Sequence, residues 1–390
     1  MSTTKQGCSR FDARQKRVGI VVSSYSSGFY GTLLDHAVRQ LESYGYSVIS
    51  KSTKVSSTPG KTGAYDQLEY DAWKSLLQTN CDGLILHAKL LSDEQLADMI
   101  QRGPKTVLIN RFLEDYPYQS VPVNNGDGAR LAAAHLVEMG HTRVAMITGP
   151  KKYSDVVERS RGFLSELAKW NLSVPEDLIE VGNYTFEGGA QAFRRLLQTD
   201  RPFSVVFAQN DRMAAGVVHI CQAEGISVPD EISVIGYDGS FFGGLTQPKL
   251  TTVKYPIDKA GTCAAKILHG LLENHTPASV PDCSKEHLKP TLVVRDSVHN
   301  KCARQEKSTD LPLLTQREYE CLQNISIGNT SSEVAGFLHI AEDTVNFHLR
   351  NVIHKLQARN RTHAVTIALS RGYLRSPFDQ KSSDIEMNLA

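Results

Sequence analysis

Eight short runs rich in β-branched residues recur between residue 17 and about residue 296: RVGIVVS, YSVIS, DGLILH, KTVLINR, RVAMITG, FSVVFAQND, ISVIGYDG and TLVVRD. Helix-like segments separate them, and no other feature restricts the fold as strongly. Strands that alternate with amphipathic helices build parallel sheets covered on both faces. Between the runs, GTLLDHAVRQLESYG and GARLAAAHLVEMG place apolar residues three and four apart and close on glycine, as helices ended by a left-handed glycine do. Roughly 280 residues of this pattern exceed one ordinary sheet and predict two doubly wound lobes, with the break near Gly149-Pro150.

Charge and cysteine usage narrow the function classes. The 390-residue chain sets 43 Lys and Arg against 42 Asp and Glu, a net charge of +1, so any nucleic-acid contact must be local rather than general. Seven cysteines, at 8, 81, 221, 263, 283, 302 and 321, are odd in number and form no CxxC pair, which predicts reduced thiols in a cytoplasm rather than a disulfide frame or a zinc site. The opening MSTTKQGCSRFDARQK is polar and carries no secretory signal, and no stretch approaches membrane-spanning length. The expected location is cytoplasmic, with no membrane partner.

Doubly wound sheets bind ligands beyond the carboxyl ends of their strands. There the runs deliver Ser23, Ser24 and Tyr25, then His87, then Asn110 and Arg111, then Asn210 and Asp211, then Asp238. Hydroxyls, amides, carboxylates and a guanidinium together with Tyr25, Phe29 and Tyr237 suit a neutral polyhydroxylated ligand, whose hydroxyls need donors and acceptors and whose ring face stacks on a ring. Helix capping is the competing reading for Asn110 and Asp211, because strand-to-helix turns favour Asx residues.

The segments NNGDGARLAAAHLVEMGHTRVAMITG, VVERSRGF, VVFAQNDRMAAG, VPDEISVIGYDGS and PKLTTVKYPIDKAG stand in an order that resembles the effector-binding core of lactose- and galactose-repressor-type regulators. That core shares its fold with periplasmic sugar-binding proteins. The resemblance implies a two-lobed α/β core of parallel doubly wound sheets, a small-molecule effector held between the lobes, and a homodimer. Position by position it implies effector contacts at Asp127, Arg159, Asn210 and Asp238, with an aromatic wall near Tyr25 and Phe29. Two positions depart from the pattern: Gly28 stands where proline is usual, and Asp238 is followed by Gly239 rather than by a second aspartate. A DNA-reading helix-turn-helix precedes the core in that family, whereas only sixteen polar residues precede it here. The output is therefore expected at the other end.

After TLVVRD, the charged stretch SVHNKCARQEKSTDLP reads as a linker. TQRE, from Thr315, and TSSE, from Thr330, are capping-box patterns that mark two helix starts fifteen residues apart. FLHIAE reads as a tight turn, AEDTVNFHLRNVIHKL as a third helix, and RTHAVTIALSRG as a fourth. In the third, Val345, Leu349, Val352, Ile353 and Leu356 form one apolar face and leave Asn346, Phe347, Arg350 and His354 on or near the other. Residues 311–375 hold seven Lys and Arg against five Asp and Glu, too mild a charge to identify a DNA binder. The order LTQRE, glycine, ExA, TVxxH, KL and RTHAV resembles the DNA-binding domain of LuxR-type regulators. That resemblance places Asn346, Phe347 and Arg350 toward base edges, and Thr344, His348 and Lys355 nearer the backbone. Arg suits guanine O6 and N7, Asn suits adenine, and Phe can press on a thymine methyl. The serine that usually caps this helix is Ala341, and losing such a cap costs about 0.5 to 2 kcal/mol.

The expected organisation is a polar arm at 1–16, the core at 17–296, a linker at 297–313, an all-α four-helix helix-turn-helix domain at 314–375 and a polar tail at 376–390. The expected function is a ligand-responsive transcriptional regulator that binds a double-stranded DNA operator, and RNA polymerase as well if it activates. The alternative is a solute-binding protein for uptake or chemosensing with a helical interaction module. No catalytic motif, cofactor or metal site is expected. His135 and His141 lie six residues apart and do not share a helix face, which favours satisfied surface histidines, and packing is expected to account for Trp73 and Trp170.

Overall fold

The computed structural model describes residues 14–25, 27–53, 65–275, 288–301 and 314–374. The expected arm up to residue 13, the linker from 302 and the tail from 375 lie outside these residues. The chain divides into two compact units, 1–124 with 256–289, and 125–255 with 290–390.

The first unit carries five parallel strands, β1 (Arg17–Val22), β2 (Ser47–Ser52), β3 (Gly83–His87), β4 (Lys105–Ile109) and β5 (Ser120–Val121), in the order β2-β1-β3-β4-β5. Helices α1 (Gly28–Ser43) and α9 (Ile257–Leu272) pack on each other, and α9 lies on β3, β4 and β5. Helix α2 (Tyr65–Leu77) packs on β1 and β2, and α3 (Asp93–Arg102) on β4. Every residue of β3 is buried, as a strand covered on both faces requires. Trp73, Leu76, Leu84, Leu86, Leu96, Met99 and Leu108 fill the layer under α2 and α3, so packing does explain Trp73.

The second unit carries a six-stranded sheet in the order β11-β10-β9-β8-β6-β7. Its strands are β6 (Val144–Thr148), β7 (Ile179–Val181), β8 (Val205–Ala208), β9 (Ser233–Asp238), β10 (Thr251–Lys254) and β11 (Thr291–Val293), parallel except for the β10–β11 pair. Helices α4 (Asn125–Glu138) and α5 (Ser154–Ala168) pair, as do α6 (Phe186–Gln198) and α7 (Asp211–Ala223). The α4–α5 approach is so close that a Cβ on Gly162 would collide with the Gly126 carbonyl oxygen. A short helix, α8 (Phe241–Leu245), follows β9.

The break between the units differs from the one read in the sequence. The chain first crosses at Asn124–Asn125, because α4 packs on α5 and on β10 and β11 of the second unit. Gly149-Pro150 is only the turn that leaves β6. Strand periodicity marks sheets but cannot mark which sheet a helix joins.

Four helices follow: α10 (Gln316–Ser326), α11 (Ser331–Leu338), α12 (Glu342–Lys355) and α13 (Arg361–Ser370). Both expected capping boxes form, Thr315 with Glu318 and Thr330 with Glu333. The turn is narrower than FLHIAE, because Leu338 still packs on the cluster of Cys321, Val334, Ala335, Val345 and Leu349, and only His339, at φ 55°, breaks the helix. Leu322, Val352, Leu356, Ala364 and Ala368 hold α13 against α10 and α12.

The histidines and thiols also depart in part from expectation. His135 and His141 are buried rather than at the surface. His141 lies between Ser204 Oγ and the His299 carbonyl, each at 3.1 Å, and burial pushes its pKa down to about 3, so it is a neutral structural residue. Trp170 is 58% exposed and is not a packing residue. Cys81, Cys221 and Cys321 are buried free thiols, whereas Cys263 is disulfide-bonded, so the expectation of reduced thiols fails there.

Candidate effector site and nucleic-acid interface

In the first unit the strand order changes direction between β1 and β3, and the predicted residues sit at these strand ends. The Tyr25 hydroxyl donates to Ser50 Oγ at 3.1 Å, and its ring is half exposed. Phe29 meets Tyr30 edge to face at 5.2 Å and His87 at 6.1 Å. Tyr30 in turn meets His87 at 5.0 Å and donates to Ser23 Oγ at 3.1 Å. Asn110 is buried at φ 66°, a left-handed conformation that costs energy outside glycine and recurs at functional sites. Arg111 pairs with Asp93 at the start of α3. Tyr30 belongs to this cluster and was missed in the sequence, because a tyrosine next to a phenylalanine at a helix start reads as packing.

In the second unit the direction changes between β6 and β8. Arg159, on α5, is 5% exposed and is held from four sides. Its Nε donates to Asn125 Oδ1 at 3.0 Å, one Nη1 contact is the Gln209 carbonyl, the other is Asp238 Oδ1 at 3.2 Å, and its plane lies 3.9 Å from the centre of the Tyr237 ring. Burial works to lower the guanidinium pKa, but Asp238 first, with Tyr184, Tyr237 and Asp155 behind it, together more than offset it and the net direction is upward. Tyr237 is fully buried and donates to the Asn125 carbonyl at 3.1 Å, so its ring is a platform for Arg159 rather than an open stacking face.

Asp238 has φ 97° and Gly239 φ 64°, two left-handed residues in a row at the end of β9. Asp211 fixes the loop they form: it accepts from Ser240 N at 2.6 Å and from Thr252 Oγ1 at 2.6 Å. Burial first, and the Asp238 charge second, push the Asp211 pKa up to about 7. Gly239 is therefore a backbone requirement of this loop as well as a departure from the family pattern.

Two predicted residues take other roles. Asn210 caps α7, accepting from Met213 N at 2.9 Å, while its amide donates to the Tyr184 carbonyl at 3.3 Å. Asp127 is half exposed and pairs with Arg130 along α4; the residue beside Arg159 is Asn125, two positions earlier. Asn125 and Gln209 went unselected because each also reads as a helix-start or strand-end residue, and Asp211, read as either a ligand contact or a cap, instead anchors the Ser240 loop.

The α12 side chains are placed unexpectedly. Val345, Leu349, Val352 and Leu356 are buried as read, and Ile353 packs partly. Phe347, expected near the exposed face, is 1% exposed and joins the core of the second unit, 5.8 Å from the Phe203 ring. Thr344 Oγ1 donates to Glu224 Oε2 at 2.8 Å, His348 Nδ1 lies 2.9 Å from Glu231 Oε1, and Arg350 Nη2 donates to the Leu197 carbonyl at 2.6 Å. Asn346 Oδ1 accepts from Ser331 Oγ at 2.8 Å, and Lys355 reaches Glu318 at 2.6 Å, both within the helical domain. Helical periodicity shows that a second face exists but not what covers it.

The fold and the strand-end clusters define a periplasmic-binding-protein-like core joined to a helix-turn-helix. Residues 133–298 match the periplasmic binding protein-like domain, and residues 312–368 match the bacterial regulatory proteins of the luxR family. The chain belongs to the LacI/GalR family of transcriptional regulators, here with a LuxR-type domain at its C-terminal end. It is 34% identical over 281 residues to the HTH-type transcriptional regulator GalR of Escherichia coli K12, covering 72% of this chain and 78% of that one. A LacI-family regulator from Burkholderia phymatum superposes with a TM-score of 0.66 at 31% identity, over 73% of this chain and 99% of that one. A LacI-family regulator from Lactobacillus casei with bound sucrose gives 0.63 at 25% identity, over 73% and 100%. Among the described residues no helix is long and apolar enough to cross a membrane.

Proposed function

We propose that this transcriptional regulator binds a neutral polyhydroxylated effector, a sugar or sugar derivative, for which each unit carries candidate contacts at its own strand ends, and reads a DNA operator as a homodimer through α12. In the second unit the contacts are Arg159 and Asp238, with Asn210 beside them. In the first they are Tyr25, Phe29, Asn110 and Arg111. The observation that carries the effector reading is the Arg159–Asp238 pair, a buried guanidinium and a left-handed aspartate at the carboxyl ends of parallel strands. Such a pair offers donors and an acceptor to adjacent hydroxyls. The sucrose in the L. casei relative supports the ligand class. On the DNA side Asn346, Phe347 and Arg350 read bases, while Thr344, His348 and Lys355 hold phosphates. If the regulator activates, RNA polymerase is its further partner.

The test combines two measurements. A thermal-shift screen of sugars, sugar phosphates and nucleosides identifies the effector class, and a hit confined to nucleosides overturns the sugar reading. Titrations of DNA variants at two salt concentrations then compare Arg350→Ala with Lys355→Ala. Arg350→Ala is expected to cost about 1 to 3 kcal/mol and to relax discrimination at one base pair per half-site. Lys355→Ala weakens all sequences alike and lowers the salt slope. Equal loss on specific and random DNA from Arg350→Ala overturns its base-reading role.

A further inference from the structure

The face of the second unit that meets α12 presents the chemistry a DNA site would present. Glu224 Oε2 accepts from Ala341 N at 3.0 Å and from Thr344 Oγ1 at 2.8 Å, placing an anionic oxygen at the helix N-terminus where a phosphate would dock. Ala341 supplies no side-chain cap, so Glu224 also satisfies a donor that the helix leaves open. The Leu197 carbonyl accepts from Arg350, and Asp200 lies 3.6 Å from the same guanidinium, in the role of an acceptor-rich base edge. Phe203 receives the Phe347 ring, as a thymine methyl would. Glu231 faces His348, and Gln198 donates to Asp343 Oδ2 at 3.1 Å.

Thr344, Phe347 and His348 are each at most 1% exposed in this arrangement. A base edge or phosphate cannot reach a side chain that protein already covers. We propose that the second unit masks the reading helix by occupying its DNA-facing side chains, so that operator and lobe compete for α12 and DNA binding requires its release. This rests on the DNA-reading assignment of α12. It adds that one chain in this arrangement is closed to DNA.

The site of docking matters for regulation. Phe203 and Ser204 lead into β8 and Glu231 precedes β9, so α12 covers the amino ends of the strands whose carboxyl ends carry Asn210 and Asp238. The masking contacts and the candidate effector contacts therefore share two buried strands without sharing a residue.

The experiment uses the full chain in three forms. The released form, Glu224→Ala with Gln198→Ala, removes two contacts from outside the DNA-reading set. The closed form joins Gln198→Cys to Asp343→Cys with a short bismaleimide, with each single substitution, treated with the same reagent, as a control. All forms are presented with a randomised duplex DNA pool, and the enriched duplex is then titrated. Hydrogen exchange of the 342–355 amides is followed in parallel without DNA. The released form is expected to bind the enriched duplex about 5- to 150-fold more tightly than the wild-type chain, and its α12 amides are expected to exchange faster. The closed form loses sequence-specific binding while both single-substitution controls keep it. Equal affinity of released and wild-type chains, with the closed form still binding specifically, overturns the masking and leaves DNA reading intact. If the released form shows faster exchange yet no form enriches any sequence, the DNA-reading assignment itself falls and the inference falls with it.

Discussion

Asp238→Asn removes one charge at the centre of the second unit's cluster and almost no volume. The Arg159 guanidinium, 5% exposed, then keeps only dipoles and a ring face: the Asn125 amide oxygen, the Gln209 carbonyl and Tyr237. Breaking a buried ion pair by neutralising one partner costs about 3 to 5 kcal/mol. Two features pull the expected value below that range. The Asp238 side chain is 14% exposed, so water screens part of the pair, and two hydrogen bonds to Arg159 survive the substitution. About 2 to 3 kcal/mol is the resulting expectation, a fall of roughly 4 to 12 °C in the melting temperature of a unit of this size. Urea unfolding of the full chain, read through hydrogen exchange of β6, β8 and β9 peptides, localises the loss to the second unit. The double variant Arg159→Met with Asp238→Asn removes the stranded charge and is expected to recover part of the loss, a coupling that a thermodynamic cycle measures. A loss under about 0.5 kcal/mol for Asp238→Asn, or strict additivity in the cycle, refutes the idea that this aspartate balances the buried guanidinium.

Asp211 gives a pH dependence. Its folded-state pKa of about 7 lies above the ordinary 3.8, so the folded chain holds a proton that the unfolded chain has released, and stability falls as pH rises between the two values and then levels. Asp211→Asn lacks that slope, so its stability relative to wild type is expected to climb from about pH 4 to about pH 7 by on the order of 1 to 4 kcal/mol; urea midpoints that keep a constant gap across this range refute the assignment. Phe347→Ala empties the space beside Phe203 in the core of the second unit, a loss of about 3 to 5 kcal/mol if α12 stays docked, with undocking as the ceiling. Unchanged protection of the α12 amides in that variant would mean that the ring does not anchor the helix.

Much of the architecture was legible because it rests on local periodicity. The all-buried runs GLILH and VAMIT become β3 and β6, and the two threonine capping boxes open α10 and α11. The crossing at Asn125 was not legible, since α4 is amphipathic and would suit either sheet. At the site, Arg159 and Asp238 were legible through the resemblance, whereas Asn125 and Asp211 act on Arg159 and on the Ser240 loop through contacts between residues far apart in sequence. The covering of Phe347 had no sequence signal at all. A ring, a guanidinium and a hydroxyl on one helix face suit base edges and phosphates, and they suit a phenylalanine, a carbonyl and a carboxylate equally well.

That equivalence limits how an effector can act. Strand β8 spans Val205–Ala208, about 13 Å at 3.3 Å per residue. One end abuts Phe203 under the reading helix and the other leads to Gln209, whose carbonyl holds Arg159. An effector that touches Arg159 and Asp238 can change masking only if its affinity differs between docked and released chains. Close-packed strands buried on both faces can carry such a difference, because they shift as a body rather than yielding locally. Linkage then requires reciprocity: the factor by which effector changes DNA affinity must equal the factor by which DNA changes effector affinity. With a sugar that raises the melting temperature as the probe, calorimetry on the closed and released chains measures the difference directly. Unequal affinities, in either direction, give the sign of regulation, unequal toward the closed form meaning an effector that shuts the reader. Equal affinities would leave the masking in place and remove the effector from its control, so that regulation would have to run through the pairing of two chains instead.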